Sequence, residues 1–309
     1  MMSTDFQCPV AVLFLVFNRP HLADITFEQI RAVRPPRLYV HCDGARESRE
    51  GERNLVLQSH KIVEKVDWPC EVFTLFRTEN IGLRDALHGA ISWFFEQEIA
   101  GIILEDDCCA DISFFQFCSE LLEKYAHEET VMHIGGSNLV MDITRHLPSD
   151  YFWSRFSLVW GWATWRRAWY KMDFEMLHLG QFEEEKSIQQ LLPLPMAQTY
   201  MLEKFRSVQN GKISSWAYSW FYSILKNNGI CIVPTINLIQ NIGIGVENAT
   251  NTTQNDSFSK RTFNRLSFPL RHPKSQSINT QVEIQLFYFT QKKKFRLWLW
   301  YLLHALKLR

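Results

Sequence analysis

Three adjacent carboxylates follow an apolar run in this sequence. Glu105, Asp106 and Asp107 come directly after residues 101–104, GIIL, a composition typical of a buried strand. Beside a low-dielectric core each negative charge raises the cost of ionising the next, so a positive charge is expected close to them. Carboxylates at a strand end can bind Mg²⁺ or Mn²⁺, which in turn carry substrate phosphates. The triplet therefore predicts a divalent-cation site, with a solvated turn that binds no ligand as the alternative.

The elements that must position this triplet alternate in type along the chain. Strand-like runs cover residues 10–17, 37–43, 70–76 and 101–107, and helical patterns cover 21–33, 51–65 and 83–97. This alternation predicts an α/β fold with a doubly wound, mostly parallel sheet and right-handed crossovers. Ligands of such sheets bind at the carboxyl ends of the strands. Arg19, Asp43 and the triplet all follow strands, so we expect them to meet at one edge.

The second half of the chain is rich in aromatic residues. Five of the eleven tryptophans lie between residues 151 and 169, and WAYSWF follows at 216–221. We expect a helix over 183–208, a strand and turn over 229–243, and a polar segment from about 248 to 280.

Charge and cysteine content restrict the class of protein. The 309 residues include 33 basic and 33 acidic ones, so no overall positive field favours nucleic acid, and the 46% hydrophobic content indicates a substantial core. The seven cysteines form no CxxC pair, and the apolar segment near the start has neither a basic region before it nor a small-residue cleavage site after it. We expect reduced thiols and a cytoplasmic protein.

The last nineteen residues combine basic and aromatic side chains. Lys292 to Lys294 and Arg296 precede a short apolar run that contains Trp298 and Trp300. The run is too short to span a bilayer as a helix, but this composition suits a helix lying on an anionic membrane surface. We therefore expect residues 291–309 to hold the protein on the inner face of the membrane; the alternative is a helix packed on the protein's own core.

Several of these motifs together resemble a known family. FLVFNRP, HCDG, ENIGLRDAL, GIILEDD, WGWATWRRAW and NIGIGVENAT are similar to segments of bacterial GT-A nucleotide-sugar glycosyltransferases, distantly related to the N-acetylglucosaminyltransferase I group. The resemblance covers about residues 8–253 and implies a GT-A fold, in which a Rossmann-like nucleotide-binding half joins an acceptor-binding half. It predicts a GT-A domain over 1–255, a polar loop or extension over 256–290, and the basic aromatic helix over 291–309.

The resemblance also implies roles for individual residues. It makes Asp107 the ligand of a Mn²⁺ or Mg²⁺ ion that bridges the donor diphosphate, and places Glu105 and Asp106 on the donor ribose and sugar. Further implied contacts are the diphosphate or nucleotide for Arg19 and Arg84, and the imide N–H of uracil for Asp43. For each arginine the alternative is a surface ion pair.

Four tryptophans are candidates for contact with the acceptor or the donor sugar: Trp160, Trp162, Trp216 and Trp220. For Trp160, Trp162 and Trp165 core packing is the default interpretation, and stacking of one of them on a sugar ring is the sharper hypothesis. Trp216 and Trp220 are expected to frame residue 217.

Two positions depart from the family pattern. Relatives carry an aspartate base in a W-D-x-x-W segment where this chain has Ala217, and a histidine near the diphosphate where it has Asn251. A methyl group accepts no proton, and loss of a general base typically costs ~10² to 10⁴ in rate. Three explanations stay open: an engineered inactive variant, a natural enzyme with another base such as Glu247, or a protein that binds the donor without turnover.

The resemblance therefore implies a metal-dependent, inverting glycosyltransferase. Its expected donor is a UDP-sugar, and its expected acceptor is a hydroxyl of a glycan or lipid-linked glycan. A catalytically silent nucleotide-sugar binding protein is the second hypothesis. A nucleotidyl or phosphoryl transferase is the third, although the chain has no G-x-x-x-x-G-K-S/T phosphate loop.

Overall fold

The computed structural model describes residues 6–245 and 262–290. Its first half has the predicted order of strands and helices. The elements are β1 (Val12–Val16), α1 (Pro20–Val33), β2 (Arg37–Cys42), α2 (Glu52–His60), a 3₁₀ turn (Lys61–Lys65), β3 (Glu71–Phe76), α3 (Leu83–Gln97) and β4 (Ala100–Glu105). All five residues of β1, VLFLV, are buried, as expected for a strand covered on both faces.

The second half is more irregular. It contains β5 (Cys108–Ala110), α4 (Ile112–Lys124), β6 (Val131–Gly135), α5 (Met141–Thr144), β7 (Tyr151–Ser154), β8 (Trp162–Trp165), α6 (Arg166–Trp169), α7 (Leu179–Glu184), α8 (Ser187–Leu191), α9 (Pro195–Gln209), α10 (Trp216–Lys226), β9 (Ile230–Pro234), β10 (Ile239–Asn241) and α11 (Thr280–Thr290).

Eight of these strands form one sheet in the order β3-β2-β1-β4-β8-β6-β9-β7. Strand β1 pairs in parallel with β2 on one side and β4 on the other, with Val12 opposite Leu38 and Ile102. The chain thus runs outward from β1 to β3 and returns through α3 to the far side of β1, which makes a topological switch point between β1 and β4. Only β7 and β8 run against the common direction, so the predicted α/β fold with a mostly parallel, Rossmann-like sheet is confirmed.

The described residues form three hydrophobic cores, and side chains of β1 alternate between two of them, one on each face of the sheet. Val12, Phe14 and Val16 face a first core that also buries parts of α1 and α4. Leu13 and Leu15 face a third core on the other side of the sheet, filled by residues of α3, α6 and α10. Burial of each such side chain contributes roughly 1.5–3 kcal/mol, so helices are fixed on both faces of the sheet.

The prediction of one continuous helix over residues 183–208 is wrong, because this segment is divided among α7, α8 and α9. Lys186 adopts a left-handed φ of 55° between α7 and α8, and the chain is extended at Leu192 and Leu194. Pro193 and Pro195 follow these two extended residues, and proline disfavours helical backbone in the residue before it. Pro195 then starts α9, where its missing N–H costs nothing.

The segment after residue 261 is joined to the rest of the fold. Ile278 bridges to Trp153 of β7, and α11 buries Leu286 and Phe287 in a second core with residues of α7 to α10. The described part of the predicted polar loop or extension therefore ends in a packed helix. The membrane-surface helix predicted over 291–309 lies outside the described residues. None of the described helices is long and apolar enough to cross a membrane.

Candidate functional site

The carboxyl ends of β1, β2 and β4 enclose a cavity of about 260 Å³ at the switch point, closed on one side by the first turns of α3. Arg19, Asp43, Glu105 and Asp106 all line it, so the structure brings these predicted residues together. The apolar part of the wall consists of Leu15, Val16, Phe17, Leu83, Ala86 and Leu87. An apolar cleft with a few polar groups at its rim is typical of a small-ligand site.

Arg19 supplies a positive charge beside the acidic triplet. Its guanidinium forms a two-point ion pair with Asp106, and its Nη1 lies 3.0 Å from Asp107 Oδ2. Burial, together with the neighbouring carboxylates, raises the pKa of both Glu105 and Asp106, and Arg19 only partly opposes this rise. One arginine thus faces three carboxyl groups, and a further positive charge close to them would favour their ionised form.

A short second sheet places a glycine turn against Asp107. Strand β5 pairs with β10, and the backbone N–H of Ile242 donates to the Asp107 carbonyl at 2.9 Å. A Cβ on Gly243 would overlap Asp107 Oδ2 and come within 2.8 Å of Arg19 Nη1. Only glycine therefore lets the backbone approach the carboxylate this closely.

These residues suit a hard cation that completes its coordination from a ligand. Among the described residues, no group of three or more His, Cys, Asp or Glu side chains is arranged to hold a metal ion unaided. The carboxyl oxygens at the end of β4, those of Asp107 among them, are nevertheless the kind of ligand that Mg²⁺ and Mn²⁺ prefer. Such an ion would take few protein ligands here, with phosphate oxygens and water supplying the rest.

Asp43 has a structural role that the sequence did not suggest. Its carboxylate accepts hydrogen bonds from Gly44 N at 3.0 Å, Asn80 Nδ2 at 3.0 Å, Gly82 N at 3.1 Å and Ile81 N at 3.2 Å. It therefore fixes the turn that precedes α3. The predicted hydrogen bond from uracil would have to be added to these four.

Arg84 does not line the cavity. Its Nη2 donates to the Phe174 carbonyl at 3.1 Å and to Glu175 Oε2 at 3.0 Å, and the guanidinium lies 3.8 Å from the centre of the Phe174 ring. This geometry corresponds to the ion-pair alternative, with a cation–π contact added.

The tryptophans mostly belong to the third core. Trp162 and Trp220 are fully buried, and Trp216 stacks on Trp162 with ring centres 5.7 Å apart. The rings of these three are enclosed by other aromatic side chains, so contact of any of them with a sugar stays a prediction. Trp160 is half-buried and packs against the first and second cores.

The predicted base position lies on α10. Ala217 is the second residue of this helix, is half-buried, and packs at the edge of the third core without lining the cavity. Glu247 and Asn251 lie outside the described residues, so the structure does not place the alternative base.

Two cavity residues were missed by the sequence reasoning. His41 is 1% exposed, and its Nε2 has no hydrogen-bond partner in the described part of the chain. Burial, and next the charge of Arg77, lowers the pKa of His41 to about 4, so the ring is neutral at pH 7. Arg46 lies over the Phe17 ring at 5.6 Å and binds Glu52. His41 could have been found from the alternation of side chains along β2, because this alternation places residues 39 and 41 on the same face of the sheet.

No protein-family model matches this sequence, and no curated protein matches it at a significant level. Among solved structures, the chain is similar to the apo structure of WbbM, a bifunctional glycosyltransferase, with a TM-score of 0.31 and 7% identity. The match covers 74% of this chain and 46% of that chain. A likeness of this size carries no argument about function.

Proposed function

We propose that this protein is a glycosyltransferase that moves a sugar from UDP to a hydroxyl of a glycan or lipid-linked glycan. The observation that carries the proposal is the cavity at the switch point between β1 and β4, which is lined by Asp43, Glu105 and Asp106 and by Arg19 and Arg46, with Asp107 in contact with Arg19. Its position is where doubly wound sheets bind nucleotides, and its acidic rim is where a metal-bound diphosphate would sit. The motifs that resemble GT-A enzymes supply the reaction class.

The chain's own residues would divide the donor between them. The apolar wall around Phe17 and Leu87 accommodates the flat base, and neutral His41 offers it a ring nitrogen in the interior. Glu105 and Asp106 lie at the rim, where carboxylate oxygens can accept hydrogen bonds from ribose or sugar hydroxyls. Arg19 holds Asp106 and Asp107 in place and limits their mutual repulsion.

Asp107 is the residue that would hold Mn²⁺ or Mg²⁺. When bound, the ion supplies positive charge that stabilises the leaving diphosphate. Asp107 is suited to this because it lies just beyond the strand and contacts the glycine turn at 242–245.

Inversion at the sugar carbon requires one displacement in which a base takes the acceptor's proton. Ala217 provides no such group, so the acceptor proton must go to another residue, and Glu247 is our candidate. The alternative function, a nucleotide-sugar binding protein without turnover, is favoured by this same alanine. Formation of product from radiolabelled donor separates the two.

We further propose that the acceptor lies at the inner face of the membrane. The basic, tryptophan-containing sequence of residues 291–309 supports this, because that composition binds anionic headgroups.

The first experiment is a thermal-shift screen of UDP and UDP-sugars with Mn²⁺ or with a chelator. We expect UDP to raise the melting temperature only with the metal, and Asp107→Ala to abolish the rise while the fold is kept by the remaining Arg19–Asp106 pair. Asp142→Ala, an exposed change on α5, serves as the matched control. An undiminished metal-dependent rise in Asp107→Ala would remove Asp107 from the metal site.

A further inference from the structure

A second cavity, of about 540 Å³, lies beside the first at the carboxyl ends of β2 and β3. Its walls come from the loop after β2, from α2 and from the end of β3. Four arginines line this basic groove: Arg46, Arg49, Arg53 and Arg77. Arg46 also lines the first cavity, so the two sites are neighbours.

Most of the positive charge in the basic groove has no partner. Arg46 is paired with the buried Glu52. For Arg49, Arg53 and Arg77, no carboxylate partner is found among residues 6–245 and 262–290, and Glu47 is the single acidic side chain that lines the groove. In a chain whose net charge is zero, this is a local concentration of uncompensated charge that attracts anions.

Two nitrogens in the groove are buried and unsatisfied in the described part of the protein, Arg77 Nε and His60 Nε2. The His60 ring is held flat against Phe76, with ring centres 3.9 Å apart and planes 7° apart. The guanidinium of Arg77 lies against α3. Its Nη2 occupies the space beside Gly89, where a larger side chain would collide with it. A buried polar nitrogen without a partner costs free energy, so an acceptor oxygen that reaches His60 Nε2 from the groove would be favoured.

We propose that the basic groove binds the phosphate or diphosphate group of a ligand distinct from the one in the first cavity. Guanidinium groups match phosphate oxygens in charge and in two-point geometry, and His60 adds a donor. Leu57, 51% exposed, gives the groove an apolar border where the rest of the ligand can pack. The phosphate belongs either to a soluble ester or to a lipid headgroup.

Histidine ring signals in NMR distinguish the two cavities, because His60 lies in the basic groove and His41 in the first cavity. The full-length protein is titrated with pyrophosphate at constant ionic strength. We expect a saturable shift of the His60 signal, assigned with His60→Gln. The paired change Arg49→Gln and Arg53→Gln should weaken this binding at least tenfold, whereas Arg145→Gln, a change at an exposed arginine directly after α5, should leave it unchanged.

A vesicle assay identifies the source of the phosphate. If the paired arginine change reduces sedimentation with phosphatidylglycerol vesicles but not with phosphatidylcholine, the ligand is a lipid headgroup; if only pyrophosphate binding falls, it is a soluble ester. The proposal is overturned if pyrophosphate shifts His41 alone, or if neither assay depends on the two arginines. Neither readout requires UDP binding, so failure here is separate from failure of the proposed function.

Discussion

Glu283 places a carboxyl group in the interior between α11 and the end of β7, and its burial should make stability depend on pH. The residue lies on α11 and is 1% exposed. Ser154 Oγ donates to Oε1 at 2.6 Å, and the backbone N–H of Arg155 donates to Oε2 at 3.2 Å. These hydrogen bonds favour the charged form but do not offset burial, which raises the pKa of Glu283 to about 7.

The sign of the effect follows from which state keeps the proton. Below the ordinary value near 4.5, Glu283 is protonated in both the folded and the unfolded chain and has no effect. As the pH rises from about 4.5 to about 7, the unfolded chain loses the proton first, so the free energy of unfolding falls. The full shift corresponds to about 3 kcal/mol, all of it lost above pH 7.

The assay is urea unfolding of the parent and of Glu283→Gln between pH 4.5 and 8.5. The amide is neutral throughout, so the stability of the variant relative to the parent should rise by about 3 kcal/mol from the low to the high end of this pH range. The difference between the two proteins cancels the other titrating groups. Glu184→Gln, an exposed change on α7, is the control and should follow the parent. Parallel curves for parent and Glu283→Gln would refute the reasoning.

Three further changes test the site. Gly243→Ala should lower metal-dependent UDP affinity tenfold or more and cost about 1–3 kcal/mol of stability, because the added Cβ displaces Asp107. The control is Gly180→Ala on α7, where the added carbon meets nothing, and it should change neither the affinity nor the stability. Asp43→Ala should cost about 2 kcal/mol in urea unfolding by leaving the N–H groups of the turn before α3 unpaired, and equal stability would contradict that role. In a parent that binds the donor without turnover, Ala217→Asp should raise turnover of UDP-sugar by ~10², because a carboxylate in the first turn of α10 can take the acceptor's proton and suits the helix dipole. No gain in an already active parent would place the base elsewhere.

The first half of the fold could be predicted because its pattern is local. The strands from β1 to β4 are short runs rich in apolar residues, and helical segments long enough for a crossover separate them. That pattern also fixed which strand ends share an edge, and hence the meeting of Arg19, Asp43 and the acidic triplet. The sequence predicted a positive charge beside the triplet but assigned it to a metal, whereas the structure already places Arg19 there.

The structure of the second half could not be predicted from local patterns, because contacts between residues far apart in the sequence determine it. Aromatic residues in WAYSWF have the same composition whether they face a ligand or a core, and only the fold shows Trp216 and Trp220 packed around Trp162. The spacing gave a partial signal, since residues four apart lie on one face of a helix. Ala217 lies to the side of that face, which is why it is half-buried while both tryptophans are enclosed.

The net charge of the chain is zero, but two regions of opposite charge lie at one edge of the sheet. Carboxylates gather at the end of β4, and unpaired guanidinium groups gather at the ends of β2 and β3. Arg46 borders both regions and is itself neutralised by Glu52, so the two regions are separated by a paired charge. The absence of a net positive charge therefore disfavours a nucleic-acid partner for the molecule as a whole, but it does not exclude the binding of a small anion. Any charged ligand meets this protein locally, where the acidic region needs a cation and the basic region needs an anion.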